Sequence, residues 1–200
     1  MNRKRISRLM KAMGIEAMYP KPKRDAWQRK NGKFPYLLKD ITINFQNHVW
    51  ATDITYIPMH GGYLYLVAII DLFSRFVLSW ELSDSLESDF CIGALNHAFE
   101  FGKPLIMNSD QGVQFTSNNY VQLLKTKGIE ISMSGKGRCW DNIFVERFWR
   151  SLKYDEVYLN QYNGSEEAYD CIGGYIERFN TKRLHSSLSY RTPAEVYLEG

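Results

Sequence analysis

Cysteine and histidine are scarce in this 200-residue chain, and their spacing excludes several functions at once. Cys91, Cys139 and Cys171 are odd in number and far apart, and none lies at metal-ligand spacing from a histidine. Neither a disulfide framework nor a zinc site is expected, and a reduced, cytoplasmic setting is the simplest inference. His48, His60, His97 and His185 are scattered, with no Ser/His/Asp order around them and no Gly-rich phosphate loop elsewhere. Long apolar runs are missing too. The longest begins at Leu64 and is broken by Asp71, far short of the ~20 residues that span a bilayer, so no membrane anchor or signal peptide is expected. There is no internal repeat and no low-complexity segment.

What is present is an uneven charge distribution. The net charge of +3 conceals a head, residues 1–33, with eleven Lys/Arg against Glu16 and Asp25. The remainder carries fourteen bases and twenty acids, which makes the head about +9 and the body about −6. A basic arm on an acidic body points to a polyanionic partner. Residues 1–18 read as a short helix with Ile6, Leu9, Met10 and Met13 on one side and Gly14 as its stop, followed by a Lys-, Arg- and Pro-rich linker to residue 40. Two parts are expected: residues 1–40, and a body of residues 41–200.

In the body, Val49 to Ile57 is β-branched and aromatic, with Pro58 expected to end the strand. Gly61-Gly62 turns into Tyr63 to Asp71, whose near-continuous apolar character predicts a strand covered on both faces. Phe76 to Leu82 completes an antiparallel meander. A helical period follows at Cys91, Ala94, Leu95 and Ala98, with Ser85 or Ser88 as its cap and Gly102 as its stop. Pro104 to Asn108 is a short strand, Ser117 caps a helix running to Gly128, and Ile129 to Met133 is a fifth strand. Helices are predicted from near Asp141 and over Ser165 to Arg178. The order βββαβαβα predicts a mixed five-stranded α/β sheet covered by helices.

Three acids stand out in that frame: Asp53 within a strand, Asp110 at a strand end and Glu146 on a helix, with thirty-five residues between the last two. Converging carboxylates repel unless a cation lies between them, and hard oxygen ligands select Mg²⁺ or Mn²⁺ over zinc. A pair of such ions, about 3.5–4 Å apart, serves phosphoryl chemistry without a side-chain nucleophile. On the last helix, Asn142, Glu146, Trp149, Arg150 and Lys153 fall within about 100° of one another, while Phe144, Val145, Phe148 and Leu152 fall opposite. One carboxylate and two cations can therefore face a ligand while the apolar stripe is buried.

From Trp50 to Tyr197 the chain resembles the integrase-core transposases of bacterial insertion sequences, in particular insertion sequence family three, cousins of retroviral integrases. The resemblance rests on Thr52-Asp53-Ile54-Thr55-Tyr56, Asp71 with Ser74-Arg75, Ser109-Asp110-Gln111-Gly112 with Gln114-Phe115, and Trp140-Asp141-Asn142. It continues through Glu146, Leu152-Lys153, and Asn180 with Arg183 and His185-Ser186. It implies a ribonuclease H-like fold and an acidic triad of Asp53, Asp110 and Glu146 holding Mg²⁺ or Mn²⁺. It implies DNA contacts from Lys153, Arg150, Asn142, Trp140, Gln111, Arg183 and His185. The implied activity is 3′-end cleavage of the element's DNA, followed by strand transfer. The family also implies a homo-oligomer on DNA and an upstream frame supplying a helix-turn-helix, of which residues 1–18 resemble the tail. Ile143, Phe179 and Ser189 depart from the family's usual Ala, Tyr and Gly, and none is a carboxylate position. The alternative reading is a catalytically silent DNA-binding or regulatory fragment. A host ribonuclease H shares the chemistry but leaves the basic head and the Arg183/His185 segment without a purpose.

Overall fold

The computed structural model describes residues 3–14, 34–135 and 143–199. Trp140 and Asn142 lie outside the described residues, as do Cys139 and most of the expected linker. The chain divides into two units, Met1–Gly32 and Lys33–Gly200. In the first, helix α1 spans Arg3–Ala12 and stops before Gly14, whose φ of +66° favours a residue without a side chain.

The second unit holds a five-stranded sheet. Strands β1 (Val49–Met59), β2 (Gly62–Asp71) and β3 (Val77–Ser83) form the expected antiparallel meander. Strands β4 (Ile106–Ser109) and β5 (Glu130–Met133) run parallel to β1, giving the order β3-β2-β1-β4-β5. Helices α2 (Asp89–Ala98) and α3 (Asn118–Thr126) are the crossovers. After β5 come α4 (Ile143–Leu152), a π turn (Lys153–Val157), α5 (Ser165–Thr181) and α6 (Pro193–Glu199). Among the described residues, no helix is long and apolar enough to cross a membrane.

The period of two along each strand sorts the core into two layers. Val49 and Ala51 of β1, with Leu64, Leu66, Ala68 and Ile70 of β2, pack with α4 and α5. Trp50, Val67 and Ile69 point the other way, into a layer with α2 and α3. Asp53 continues the series of Val49 and Ala51, so the strand's own pleat aims it at the α4 side.

Two local expectations fail. Pro58 does not end β1 but pairs with Tyr63 inside it. β4 pairs with β1 only as far as Ala51, so at Pro58 the strand has one open side, where a missing N–H costs the ladder nothing. Ser88 occupies the α2 cap position, but its backbone is already helical and its side chain makes no capping bond. Ser117 does cap α3, accepting from the Tyr120 N–H at 3.4 Å.

Candidate active site

β1 is the strand at which the chain changes direction across the sheet: β2 leaves on one side, and β4 later arrives on the other. In open α/β sheets, the crevice beyond the carboxyl ends of strands at such a point is where ligands bind. Ala51 sits opposite Asn108, and two residues further along each strand stand Asp53 and Asp110. The parallel register therefore delivers both carboxylates to the same edge of the crevice, and α4 crosses above with Glu146.

Asp53 is partly buried, and its Oδ2 accepts a 3.0 Å hydrogen bond from the Trp149 indole N–H on α4. Burial pushes its pKa from the ordinary 3.8 up to about 6. Hydrogen bonds from the Ile54 backbone and Trp149 oppose that rise, and the charges of Asp110 and Glu146 add to it. The three acids thus lie within electrostatic reach of one another. Asp110 is exposed and fixed by its own turn, its Oδ1 accepting from the Gly112 N–H at 2.8 Å. A Cβ on Gly112 would approach that oxygen to 2.8 Å, so a side chain there would push the Asp110 carboxylate out of this position. Gln111 beside it is tied to the Ser134 carbonyl at 3.1 Å.

Glu146 is exposed on α4. Lys153, half-buried two turns later, has its pKa lowered by burial and raised in part by the charge of Asp53, which locates its ammonium on the carboxylate side of the helix. Not every acid of the motifs belongs to the crevice. Asp71 is buried, and its two oxygens are taken by the Asn47 N–H at 2.9 Å and by the N–H and hydroxyl of Ser74 at 2.8 and 2.6 Å. It is a structural knot at the end of β2.

Among the described residues, no three His, Cys, Asp or Glu side chains converge closely enough to hold a metal ion as they stand. The donor set nevertheless fits a hard cation: three carboxylates, one desolvated and repelled by the other two, are what such an ion relieves. Glu146, at the surface of α4, has the rotamer freedom to draw in.

The structure brings Asp53, Asp110, Glu146 and Lys153 within electrostatic reach of one another, while the Gln111 side chain, next in sequence to Asp110, is held on the Ser134 carbonyl. It places Arg183 and His185 elsewhere, in a cavity on the other flank of α4, and Arg150 lines that cavity too. Sequence reasoning gave Trp149 no role, although helical spacing had put it on the Glu146 face. Asn180 was quoted only as part of a motif. Its side chain clasps Val77 of edge strand β3, accepting from the N–H and donating to the carbonyl, both at 2.9 Å.

Integrase core domain family models match residues 44–139 and 127–193. The transposase for insertion sequence element IS904 of Lactococcus lactis subsp. lactis (strain IL1403) is 37% identical over 203 residues, covering 97% of this chain and 79% of that protein. The putative transposase InsK for insertion sequence element IS150 of Escherichia coli (strain K12) is 33% identical over 199 residues, covering 97% of this chain and 70% of that protein. Among solved structures, the HTLV-2 integrase catalytic core domain in complex with magnesium superimposes with a TM-score of 0.61 at 22% identity, over 76% of this chain and 97% of that one. A chain of the simian T-cell lymphotropic virus intasome, solved with PP2A regulatory subunit B56 gamma, gives a TM-score of 0.67 at 20% identity over 84% of this chain and 58% of that one. These likenesses establish a ribonuclease H-like fold, as the sequence resemblance implied.

Proposed function

The chain belongs to the integrase-core family of insertion-element transposases and acts in DNA transposition, and from that premise we propose that Asp53, Asp110 and Glu146 hold Mg²⁺ for polynucleotidyl transfer. The observation that carries this reading is the raised proton affinity of Asp53, caused by burial and by the two other carboxylates. A site that costs this much to charge when empty is adapted to a cation. When bound, a pair of such ions supplies in-line displacement at phosphorus by activating the attacking oxygen and neutralising the leaving one.

The chain's own residues do the rest. Trp149 holds Asp53 in one rotamer, Gly112 holds Asp110, and Lys153 meets a phosphate of the strand that lies over the carboxylates. In the first step water attacks phosphorus and the P–O3′ bond breaks, leaving a 3′-hydroxyl and a 5′-phosphate. In the second that hydroxyl attacks a target phosphodiester, and the target's own 3′-oxygen leaves. The basic head adds counter-charge along the DNA. A homo-oligomer on DNA accords with the intasome described for the viral relative, and an upstream helix-turn-helix partner would supply end recognition.

The test uses one end-labelled duplex with Mg²⁺. Asp53→Asn, Asp110→Asn and Glu146→Gln should each abolish cleavage and joining while circular dichroism and DNA affinity stay near wild type, because ligand charge is lost without loss of packing. Cleavage retained in any variant removes that residue from the site. Absence of product with the wild-type chain, despite DNA binding, would favour a silent DNA-binding protein.

A further inference from the structure

Helix α4 has a second working flank. At 100° per residue, Arg147, Ser151 and Tyr154 lie about 80–140° round the helix from Glu146, with Arg150 on the crest between. Under that flank is a cavity of about 490 Å³, lined on its far side by Arg75 from the turn after β2 and by Arg183 and His185 from the segment after α5. Four arginines and a histidine therefore face a single acid, Asp155, which is already paired with Arg183 at 2.6 Å.

Arg183 aside, the cations are held in place rather than satisfied. Arg75 sits in a left-handed backbone conformation, φ +67°, with its N–H bonded to the Asp71 carbonyl at 2.8 Å. Strain of that kind persists only where the surroundings impose it. Its guanidinium lies 3.4 Å above the Phe144 ring, and its Nη1 is buried without a hydrogen-bond partner among the described residues. The buried Nε2 of His185 also lacks one. Arg147 and Arg150 are exposed and form no ion pair among the described residues. Buried polar groups without a partner are rare, and the Arg75 guanidinium, a donor only, calls for an acceptor.

An anion with several acceptor oxygens answers all of these groups, since guanidinium forks match phosphate. Tyr154, 65% exposed on the same flank, offers a face on which a base can stack. The helix is about 10–12 Å across, and a DNA strand carries a charge about every 3.4 Å along its axis, so three to four nucleotides bridge the two flanks. We propose that this arginine-lined cavity is a second phosphate site, which holds the DNA backbone three to four nucleotides from the phosphodiester that lies over the carboxylates. This rests on the transposase reading and extends it from one flank of α4 to both.

The test measures binding without chemistry. The full chain, in EDTA, is titrated with a fluorescein-labelled duplex and a 20-base single strand of arbitrary sequence at several NaCl concentrations. Arg147→Gln and Arg75→Gln should each weaken binding and reduce the slope of log K against log salt by about 0.9 on duplex and about 0.7 on single strand. Lys153→Ala should do the same from the other flank, and the Arg147→Gln/Lys153→Ala pair should lose both contributions. If Arg75→Gln fails to fold, Arg147→Gln decides, because that position is exposed. An unchanged slope and affinity in Arg147→Gln would overturn the proposal. So would a deca-glutamate peptide that raises the melting temperature of the wild type but not of Arg147→Gln while the DNA slope stays the same, since the cavity would then take an acidic protein segment. Failure of the metal chemistry reads out separately, as normal binding in EDTA with no cleavage in Mg²⁺.

Discussion

Replacing Asp53 with Asn should stabilise the metal-free protein, and by an amount that depends on pH in a defined way. In the folded chain this carboxyl has a pKa of about 6 against an ordinary 3.8, so the native state binds its proton more tightly than the unfolded state does. Its contribution to stability is therefore complete below pH 3.8 and is lost as pH rises through 6. The full loss corresponds to about 3 kcal/mol, an upper bound because Asp53 is only partly buried, with about 0.5 kcal/mol lost by pH 4 and about 1.5 by pH 5. The amide of the Asp53→Asn variant carries no charge to desolvate and keeps an oxygen for the Trp149 indole. Urea unfolding in EDTA should show the variant gaining on the wild type from pH 4 upward, reaching about 2–3 kcal/mol by pH 7.5. Added Mg²⁺ should then close the gap at 100 times its Kd, where the chain that binds it gains about 2.7 kcal/mol, and reverse the order at 1,000 times, where the gain is about 4.1 kcal/mol. A difference between the two proteins that is flat from pH 4 to 8 refutes the desolvation argument. Equal stabilisation of both by Mg²⁺ removes Asp53 from the ligand set.

Two further substitutions probe the supports. Trp149→Phe keeps a buried ring but deletes the donor that lowers the Asp53 pKa, so that pKa should climb above 6 and stability at pH 7.5 should fall by about 1.5–3 kcal/mol, a charge-assisted hydrogen bond's worth. Carboxyl ¹³C titration by NMR reads the first effect directly, and an unshifted Asp53 resonance curve would contradict it. Asn180→Ala strands the N–H and carbonyl of Val77 in a buried setting, with an expected cost of about 2–5 kcal/mol in urea unfolding and faster amide exchange at Val77. Unaltered exchange there would mean that the β3 edge is held by something other than this clasp.

How far the sequence could be read depended on whether a feature is local. The continuous apolar run of β2 and its Gly61-Gly62 turn predicted a central strand of a meander, because covering both faces leaves no polar phase in the pattern. The elements that carry the three acids were legible because strand, strand end and helix are each marked by nearby residues. Pro58 misled because its tolerance depends on where β4 stops pairing with β1, fifty positions later at Asn108, and no local pattern records that. Trp149 escaped for a similar reason: its bond to Asp53 spans 96 residues. Arg183 and His185 were visible as a motif, but only the packing of α5 against the sheet places them beside Arg75 rather than beside the carboxylates.

The π turn at Lys153–Val157 shows how backbone geometry protects the charge balance of the crevice. Helical phase puts Lys153 about 20° from Glu146, so a regular helix suffices to that point. Continued regularly for three more residues, it would bring Glu156 within about 20° of the direction of Trp149, the side chain bonded to Asp53. A fourth carboxylate would then turn towards a site in which burial and two neighbours already oppose the ionisation of Asp53. The wider turn, closed by the Tyr158 N–H on the Lys153 carbonyl at 2.8 Å, holds Glu156 back. Its carboxylate is buried instead against α5, accepting from Asn160 at 2.8 Å and Arg178 at 3.3 Å. One irregular turn thus ends the run of residues that face the crevice at Lys153 and keeps Glu156 away from it.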